Sequence, residues 1–338
     1  MNEPSSLSAG ARPTLPDPWA SAGSLPLDGP IERAVAASGV DSARAIGSGL
    51  LGLVVAFILF QLIISPVVTL GLLALKGVPL EAFAQPDSIT ALISENVREL
   101  ILGNSFGQVF GLAIPAFLFA RLHSSRVRSY LRIRGTHVKL LGLAVLGLVA
   151  LTPLVQWLGV VNQSIPLPES LRTLEASQME LIEKVLDGGL GVGFNVAMLA
   201  VVPAICEELL FRGYAQRQFE RGLSPAWGIA LSGILFGLYH LRLSQVLPLS
   251  ALGLFMAYLV WRTGSIWPAV IVHFANNAFS VILANYASNQ PDVGMEALEK
   301  MEVPGYIVIL SAVIFAGVLY VLHHTARTFQ PHALEADT

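Results

Sequence analysis

Two adjacent glutamates and two histidines stand out because each lies in or at the edge of a long apolar segment. Glu207 and Glu208 are the only carboxylates in the apolar segments, and His240 and His273 are the only two of seven histidines placed there. A charged side chain inside a bilayer costs about 2.5 to 3.5 kcal/mol on insertion scales, which favours a functional reason for keeping it. A carboxylate and an imidazole can together deprotonate a water molecule, or hold a metal ion that does so. The residue types therefore point to hydrolysis at or within a membrane.

The two glutamates differ in the partners that the sequence offers them. Arg212 follows Glu208 by four residues, and an acid placed first at this spacing favours an ion pair on one helical face. The pair would neutralise both charges and leave Glu207, about 100° further round the helix, without a partner on its own segment. An alternative is that the cluster anchors a helix end at the interface, where Arg212 would reach toward the headgroups. Two adjacent acids facing apolar turns favour the catalytic interpretation.

Each histidine also has a companion on its own helical face. Phe236 precedes His240 by four residues, and Asn277 follows His273 by four. Besides a base for water, peptide hydrolysis needs donors for the negative charge that develops on the carbonyl oxygen. A second imidazole and a carboxamide can supply those N–H groups.

The three pairs resemble the signature motifs of the CAAX prenyl protease 2 and bacteriocin-processing family (CPBP, or Abi). The motifs stand in the family's order as Glu207-Glu208-x-x-x-Arg212, Phe236-x-x-x-His240 and His273-x-x-x-Asn277. The resemblance implies that Glu207 is the base, with His240 as its partner, and that His273 and Asn277 stabilise the oxyanion. It implies that Glu208 and Arg212 are structural or orient the substrate, while Phe236 packs around the site.

The same resemblance implies an intramembrane endopeptidase that acts on a membrane-associated protein or peptide, with a prenylated CAAX tail as the namesake substrate. The family is often labelled as metalloproteases, so one Zn²⁺ held by Glu207, His240 and His273 is an open alternative. We favour a metal-free mechanism because Asn277 is a poor zinc ligand and a good hydrogen-bond donor. A non-catalytic immunity or scaffold protein of the same fold, or an ion-coupled transporter, are the competing interpretations.

Composition predicts the fold class. Of 338 residues, 54% are hydrophobic and 13% are charged, whereas an ordinary soluble domain has about 25% charged residues. The apolar residues fall in blocks of about 20, the length that spans a bilayer as a helix. We therefore predict an all-α, polytopic transmembrane bundle of about eight spanning helices, at 47–75, 104–121, 138–161, 189–211, 225–241, 246–261, 265–285 and 304–322.

The polar stretches between these blocks predict the domain organisation and the topology. We expect a disordered cytoplasmic tail at 1–46, N-terminal helices with an extracytoplasmic amphipathic loop at 47–185, a catalytic core at 186–325 and a short tail at 326–338. Lys and Arg concentrate in the loops after the second and fourth segments, which predicts that both termini are cytoplasmic. We expect a multi-pass protein of a bacterial cytoplasmic (inner) membrane. The loop at 163–188 fits either an amphipathic surface helix or a plain connector.

Charge and cysteine content narrow the partners. The net charge of −3 gives no basic surface for nucleic acid, so the expected partners are the lipid bilayer and a membrane-bound protein or peptide substrate. The single cysteine, Cys206, excludes an internal disulfide and a Cys-based zinc cluster. We expect Cys206 to pack as a small buried residue rather than to act as a nucleophile. The oligomeric state is left open.

The predicted segments do not place Glu207 and His240 at the same depth in the membrane. Glu207 falls near the end of the segment at 189–211, whereas His240 lies about 22 Å along a helix that begins near Pro225. Either that helix begins well outside the membrane, or it forms a short tilted pair with the segment at 246–261.

Overall fold

The computed structural model describes residues 42–79, 92, 94–187, 189–288 and 303–329, and within them it contains helices and no β-strand. Seven of these helices are long and apolar enough to cross a membrane. The all-α polytopic prediction is therefore confirmed. The helices longer than ten residues are α1 (Ser42–Leu75), α2 (Val97–His123), α3 (Val138–Gln163), α4 (Glu169–Asp187), α5 (Val192–Gly222), α6 (Pro225–Tyr239), α7 (Val246–Thr263), α8 (Trp267–Ser288) and α9 (Gly305–Phe329).

Several predicted boundaries are corrected. The segment at 225–241 forms α6, whose 15 residues extend only about 22 Å, less than the ~30 Å hydrocarbon core. Helix α1 begins at Ser42, inside the predicted tail at 1–46, and α9 continues to Phe329, inside the predicted tail at 326–338. The remainder of both tails lies outside the described residues. In the predicted loop at 163–188, the helical alternative is the one observed, as α4.

Three of the long helices widen into a π-helical segment just before a proline. The prolines are Pro66 in α1, Pro115 in α2 and Pro203 in α5. Proline lacks an N–H donor and its ring clashes with the carbonyl four residues earlier, and membrane helices absorb this by local π adjustment. Helix α5 has a second π-helical segment, Leu209–Ala215, directly after the two glutamates. The side chains around the glutamates therefore depart from a strict 3.6-residue period.

Helix α5 and helix α6 form an antiparallel hairpin that explains how Glu207 and His240 reach the same depth. Helix α5 does not end near 211 but continues to Gly222, and Ser224 then caps α6 by accepting from the Trp227 N–H at 3.5 Å. Glu207 and His240 each lie about 15 residues from the helix end at this turn, which is about 22 Å on either side. Equal lengths on the two sides of the turn bring the two residues to the same depth.

Buried polar contacts hold the extension of α5 in place. Arg132 forms an ion pair with Glu220, with both side chains almost fully buried. Arg217 donates to the Tyr130 carbonyl at 2.7 Å, and Gln218 donates to the Tyr130 hydroxyl at 2.7 Å. The basic stretch after α2 is thus partly an internal support for α5 rather than a free loop.

Contacts at one end of the bundle place several loops and both ends of the described chain together. A Cβ on Gly222 would lie 2.7 Å from the Ser42 carbonyl oxygen at the start of α1. The His137 ring stacks on the Phe329 ring at the end of α9, with centroids 3.8 Å apart. Both chain ends of the described core therefore lie at the end of the bundle that carries the basic stretch at 121–139. The assignment of that end to the cytoplasm stays a prediction.

Helices α6 and α7 pack closely enough to exclude side chains larger than glycine at two positions. A Cβ on Gly233 would lie 2.6 Å from the Leu254 nitrogen, and one on Gly237 would lie 2.8 Å from the Val246 carbonyl oxygen. Small residues allow such close approach, which is a common way of packing helices in membranes. The close contact fixes the position of α6, which carries His240 at its end.

Candidate active site

Glu208 is the centre of a fully buried polar cluster. Its Oε1 accepts from Arg212 Nη1 at 2.8 Å, and both side chains are completely excluded from solvent. The same oxygen accepts from His273 Nδ1 at 2.9 Å, because a carboxylate has no hydrogen to donate. Arg212 also donates from Nη2 to the Gly253 carbonyl at 3.1 Å. The ion pair expected from the spacing is present, and it joins α5 to α7 and α8.

Glu207 faces a different direction and meets both histidines. Its Oε2 lies 3.9 Å from His240 Nε2 and 4.0 Å from His273 Nε2, and 12% of its side chain is exposed. These separations exceed direct hydrogen-bond distances. A water oxygen about 2.8 Å from each of two such atoms would fit between them. The structure therefore brings the three predicted residues into one group, at separations that a bridging water molecule would match.

The position of His240 at the end of α6 determines its tautomer. Its Nδ1 lies 2.8 Å from the Phe236 carbonyl oxygen, which can only accept, so Nδ1 carries the hydrogen. In the neutral imidazole, Nε2 then has a free lone pair, and this atom is the one that faces Glu207. Leu241, with φ of 55°, turns the chain out of the helix directly afterwards.

Phe236 packs at the middle of the cluster. The Arg212 guanidinium lies over its ring at 4.3 Å from the centroid, a favourable cation–π distance. The rings of His240 and His273 meet it edge-on, with centroids 4.8 Å and 5.6 Å away. Phe236 therefore packs against the Arg212 guanidinium and against both imidazoles, and this packing restricts the rotation of the two histidine rings.

A small, partly open cavity lies beside the histidines. One part of its wall is polar and the other is apolar. The polar residues are His240, His273, Asn276 and Asn277, and the apolar ones are Phe236, Leu249, Leu252, Met256 and Val272. Asn277 donates from Nδ2 to the Leu199 carbonyl of α5 at 3.3 Å. The polar side of the cavity can accept a peptide carbonyl near the histidines, and its apolar side can contact an adjoining apolar group.

The turn that follows His240 is held by residues from outside the three motifs. Asn162 of α3 donates to the Leu243 carbonyl at 2.8 Å and accepts from the Leu247 N–H at 2.7 Å. Glu175 of α4 accepts from the Leu243 N–H at 2.6 Å and from the Ser244 N–H at 3.2 Å. These contacts were not predicted, because nothing in the sequence indicates that α3 and α4 meet this turn.

The distances between Glu207 and the two histidines differ from those between the ligands of a zinc ion. Ligands bonded to tetrahedral zinc at about 2.0–2.1 Å lie about 3.3 Å from one another. The separations from Glu207 to the two histidines, 3.9 and 4.0 Å, are longer. In the part of the chain that the structure describes, no group of three or more His, Cys, Asp or Glu side chains has the arrangement of a metal site. In this structure the three side chains therefore lie further apart than the ligands of a bound zinc ion.

The structure also places the other residues that the sequence singled out. All seven motif residues lie in one region, on α5, α6 and α8. Cys206 is buried beside them without a disulfide. Sequence reasoning missed Asn276, although its position three residues after His273 places it on the same helical side.

The helical bundle thus brings a carboxylate, two imidazoles and a carboxamide together beside a partly open cavity. Residues 190–279 match the family model of the type II CAAX prenyl endopeptidase Rce1-like proteins. The chain is also 27% identical over 106 residues to the candidate membrane peptidase YdiL of Bacillus subtilis (strain 168), covering 31% of this chain and 43% of YdiL. No solved structure matches.

The family match covers the segment that holds all three motifs. The predicted resemblance to the CPBP family of membrane proteases is therefore confirmed, and at the family level the similarities support an intramembrane protease. The match covers less than half of the length of YdiL, so the peptidase activity in the name of YdiL is carried over to this protein only as a proposal.

Proposed function

We propose that this protein is an intramembrane endopeptidase in which Glu207 and His240 activate a water molecule. The observation that carries the proposal is the convergence of two Nε2 atoms on Glu207 Oε2 beside a cavity. A water between Glu207 and His240 would donate one hydrogen to Oε2 and the other to Nε2, because both atoms are acceptors. Its oxygen lone pairs would then face away from both groups and toward a substrate carbonyl.

The reaction follows from this arrangement. Glu207 takes a proton as the water oxygen attacks the carbonyl carbon, and the carbonyl oxygen becomes negatively charged. Asn277 and His273 donate N–H groups to that oxygen. The tetrahedral intermediate then collapses, the C–N bond breaks, and the proton held by Glu207 passes to the leaving amine. The products are a carboxylic acid and an amine, and the Glu207 carboxylate is regenerated.

The proposal imposes a protonation state on His273. Its Nδ1 already donates to Glu208, so Nε2 can donate to an oxyanion only when the ring is an imidazolium. A protonated His273 would also balance the charges of the cluster, since Arg212 and His273 would then match Glu207 and Glu208. The proposed role of His240 uses the neutral ring, because its Nε2 needs a lone pair to accept from the water. The two histidines thus have different proposed roles because their Nδ1 atoms have different acceptors.

We further propose that the reaction needs no metal. A bound zinc would instead acidify a water held by Glu207, His240 and His273. Two observations support the metal-free alternative. The Glu207 carboxylate lies 3.9 and 4.0 Å from the two histidines, which is further than zinc ligands lie from one another. Asn277 is also a good hydrogen-bond donor and a poor zinc ligand. Elemental analysis of purified active protein should show less than about 0.1 zinc per chain, and dialysis against a chelator should leave kcat unchanged. Stoichiometric zinc, lost together with activity in His240→Ala, would overturn this proposal.

The proposed substrate is a membrane-associated protein or peptide, including a prenylated CAAX tail as in the name of the matched family. We would compare membrane proteomes of cells that produce wild-type protein or Glu207→Gln, with enrichment of new peptide termini. Ser280→Ala, which removes only an exposed hydroxyl contact on α8, serves as the matched control. New termini should appear with wild type and Ser280→Ala and be absent with Glu207→Gln. Identical termini in all three would favour a non-catalytic scaffold.

A further inference from the structure

Asn276 is a polar residue of the cavity wall that belongs to none of the three motifs. It lies on α8 beside Asn277, three residues after His273, and its side chain is half-buried. Its Nδ2 donates to Asn277 Oδ1 at 3.2 Å. The contact joins it to a residue that must present an N–H, rather than an oxygen, to the substrate.

A carboxamide has two orientations related by a half-turn, and only one of them gives Asn277 an N–H donor facing the reaction. In the observed orientation, Oδ1 accepts from Asn276, and Nδ2 donates to the Leu199 carbonyl at 3.3 Å. One N–H of the Asn277 amide is thereby used, and the other is left for the cavity that Asn277 lines. The reversed orientation would set Oδ1 against the Leu199 carbonyl and Nδ2 against the Asn276 amide nitrogen. Both of those contacts join like groups.

The Leu199 carbonyl is available for a structural reason. The residue four positions later is Pro203, which has no N–H to complete an α-helical hydrogen bond to Leu199. Leu199 lies in the π-helical segment Ala197–Val201 that precedes this proline. One acceptor from α5 and one donor from α8 thus hold the two ends of the Asn277 amide.

We infer that Asn276 is a positioning residue for peptide hydrolysis, which keeps the Asn277 amide turned so that its free N–H stabilises the oxyanion. The inference rests on the proposed function of Asn277. Asn276 acts through Asn277 and is not itself the oxyanion donor.

The test is a double-mutant cycle in full-length protein reconstituted in vesicles. The probe is a peptide that spans a cleavage site whose products depend on Glu207 in the membrane comparison. Asn276→Leu keeps the size of the side chain and removes the donor, and it should lower kcat about 10- to 10²-fold with KM within about twofold. In an Asn277→Ala background the same change should alter kcat less than about twofold, because there is no amide left to orient.

Two further variants distinguish a loss of Asn277 positioning from a loss of folding. Asn276→Asp has the same shape but offers only acceptors when ionised, so it should lower kcat at least as much as Asn276→Leu. Ser280→Ala, which removes the hydroxyl contact to the Asn276 carbonyl, should keep wild-type kcat. Thermal unfolding of each variant shows whether a decrease in kcat comes from misfolding.

The outcomes separate the inference from the function on which it rests. Full activity of Asn277→Ala would refute the oxyanion role itself, and the inference with it. A large loss in Asn277→Ala together with wild-type kcat in both Asn276 variants would refute only the inference. Equal losses on changing Asn276 with and without Asn277 would also refute it, because the residue would then act independently.

Discussion

At the scale of single residues, Glu207 and Glu208 show how neighbouring identical side chains acquire different roles. Glu208 is fully buried and shares one oxygen between Arg212 and His273. Glu207 keeps some exposure and faces two Nε2 atoms at about 4 Å. The first arrangement uses the carboxylate to hold three helices, and the second leaves it available to a water molecule.

Exchanging each acid for its amide should separate these roles. Glu207→Gln should abolish cleavage, because an amide is not a useful base, while the melting temperature stays within about 2 °C of wild type. Glu208→Gln should lower the melting temperature, because Arg212 would lose its counter-charge in a buried site. The measurements are cleavage assays and thermal unfolding in detergent. Substantial activity in Glu207→Gln would show that the base has been wrongly assigned.

Removing the cation of the buried pair should be more costly. Arg212→Met leaves Glu208 buried with only His273 to compensate it, and we expect a loss of about 3–5 kcal/mol of unfolding free energy. The double variant Arg212→Met with Glu208→Gln removes both charges and should recover part of that loss. Denaturant unfolding of the three proteins measures the difference. Equal stability of Arg212→Met and wild type would mean that the pair is not buried as described.

At the scale of elements, the site depends on helices that carry none of the motifs. The α5–α6 hairpin brings Glu207 and His240 to one depth, and α3 and α4 hold the turn after His240. Asn162 is the most buried part of that support, with two hydrogen bonds to the turn and 5% of its surface exposed.

Asn162→Leu should therefore affect catalysis from a distance. The change removes the Asn162 partner of the Leu243 carbonyl and of the Leu247 N–H. Because both contacts are only partly buried, we expect each loss to cost less than the ~1–3 kcal/mol of a fully buried group. We expect kcat to fall about tenfold because His240 is less well placed. Ser164→Ala, which removes a contact at the exposed end of the same helix, is the matched control. The support would be judged unimportant if both variants cleaved at the wild-type rate.

At the scale of the whole molecule, the loops sort into two ends of the bundle. The basic stretch, the α5–α6 turn and both chain ends of the described core lie at one end, while the turn after His240 lies beside the far end of α3 and near α4. Positive charge predicts that the first end is cytoplasmic. The turn after His240 and α4, which contacts it, would then lie at the extracytoplasmic end.

The single cysteine makes this orientation measurable. Cys206 is buried, so a Cys206→Ala protein is a suitable background for single cysteines at exposed Arg128 and at exposed Ser177 on α4. In intact cells, a membrane-impermeant maleimide should label the cysteine at 177 and should reach the one at 128 only after the membrane is opened. The reverse pattern would invert the topology and the side from which substrate enters.

The sequence by itself determined the membrane environment and the helical class, and it singled out the residues that we propose to be reactive. Apolar blocks of bilayer length require helices whose backbone groups are satisfied internally. The cost of charge in such blocks singled out Glu207, Glu208, His240 and His273. The spacing of four residues determined the Glu208–Arg212 pair, because that contact is local to one helix.

Only the tertiary structure decided how these residues meet. The composition predicts that the fourth segment ends near 211, because Arg212 and the polar residues after it are typical of a loop. The helix continues to Gly222 because Arg132 and Tyr130, which are distant in sequence, pair with those polar groups. The tautomer of His240, the separation of about 4 Å around Glu207 and the contact of Asn276 with Asn277 likewise depend on packing between helices. Sequence periodicity describes one helix at a time, so it cannot specify contacts that form between helices.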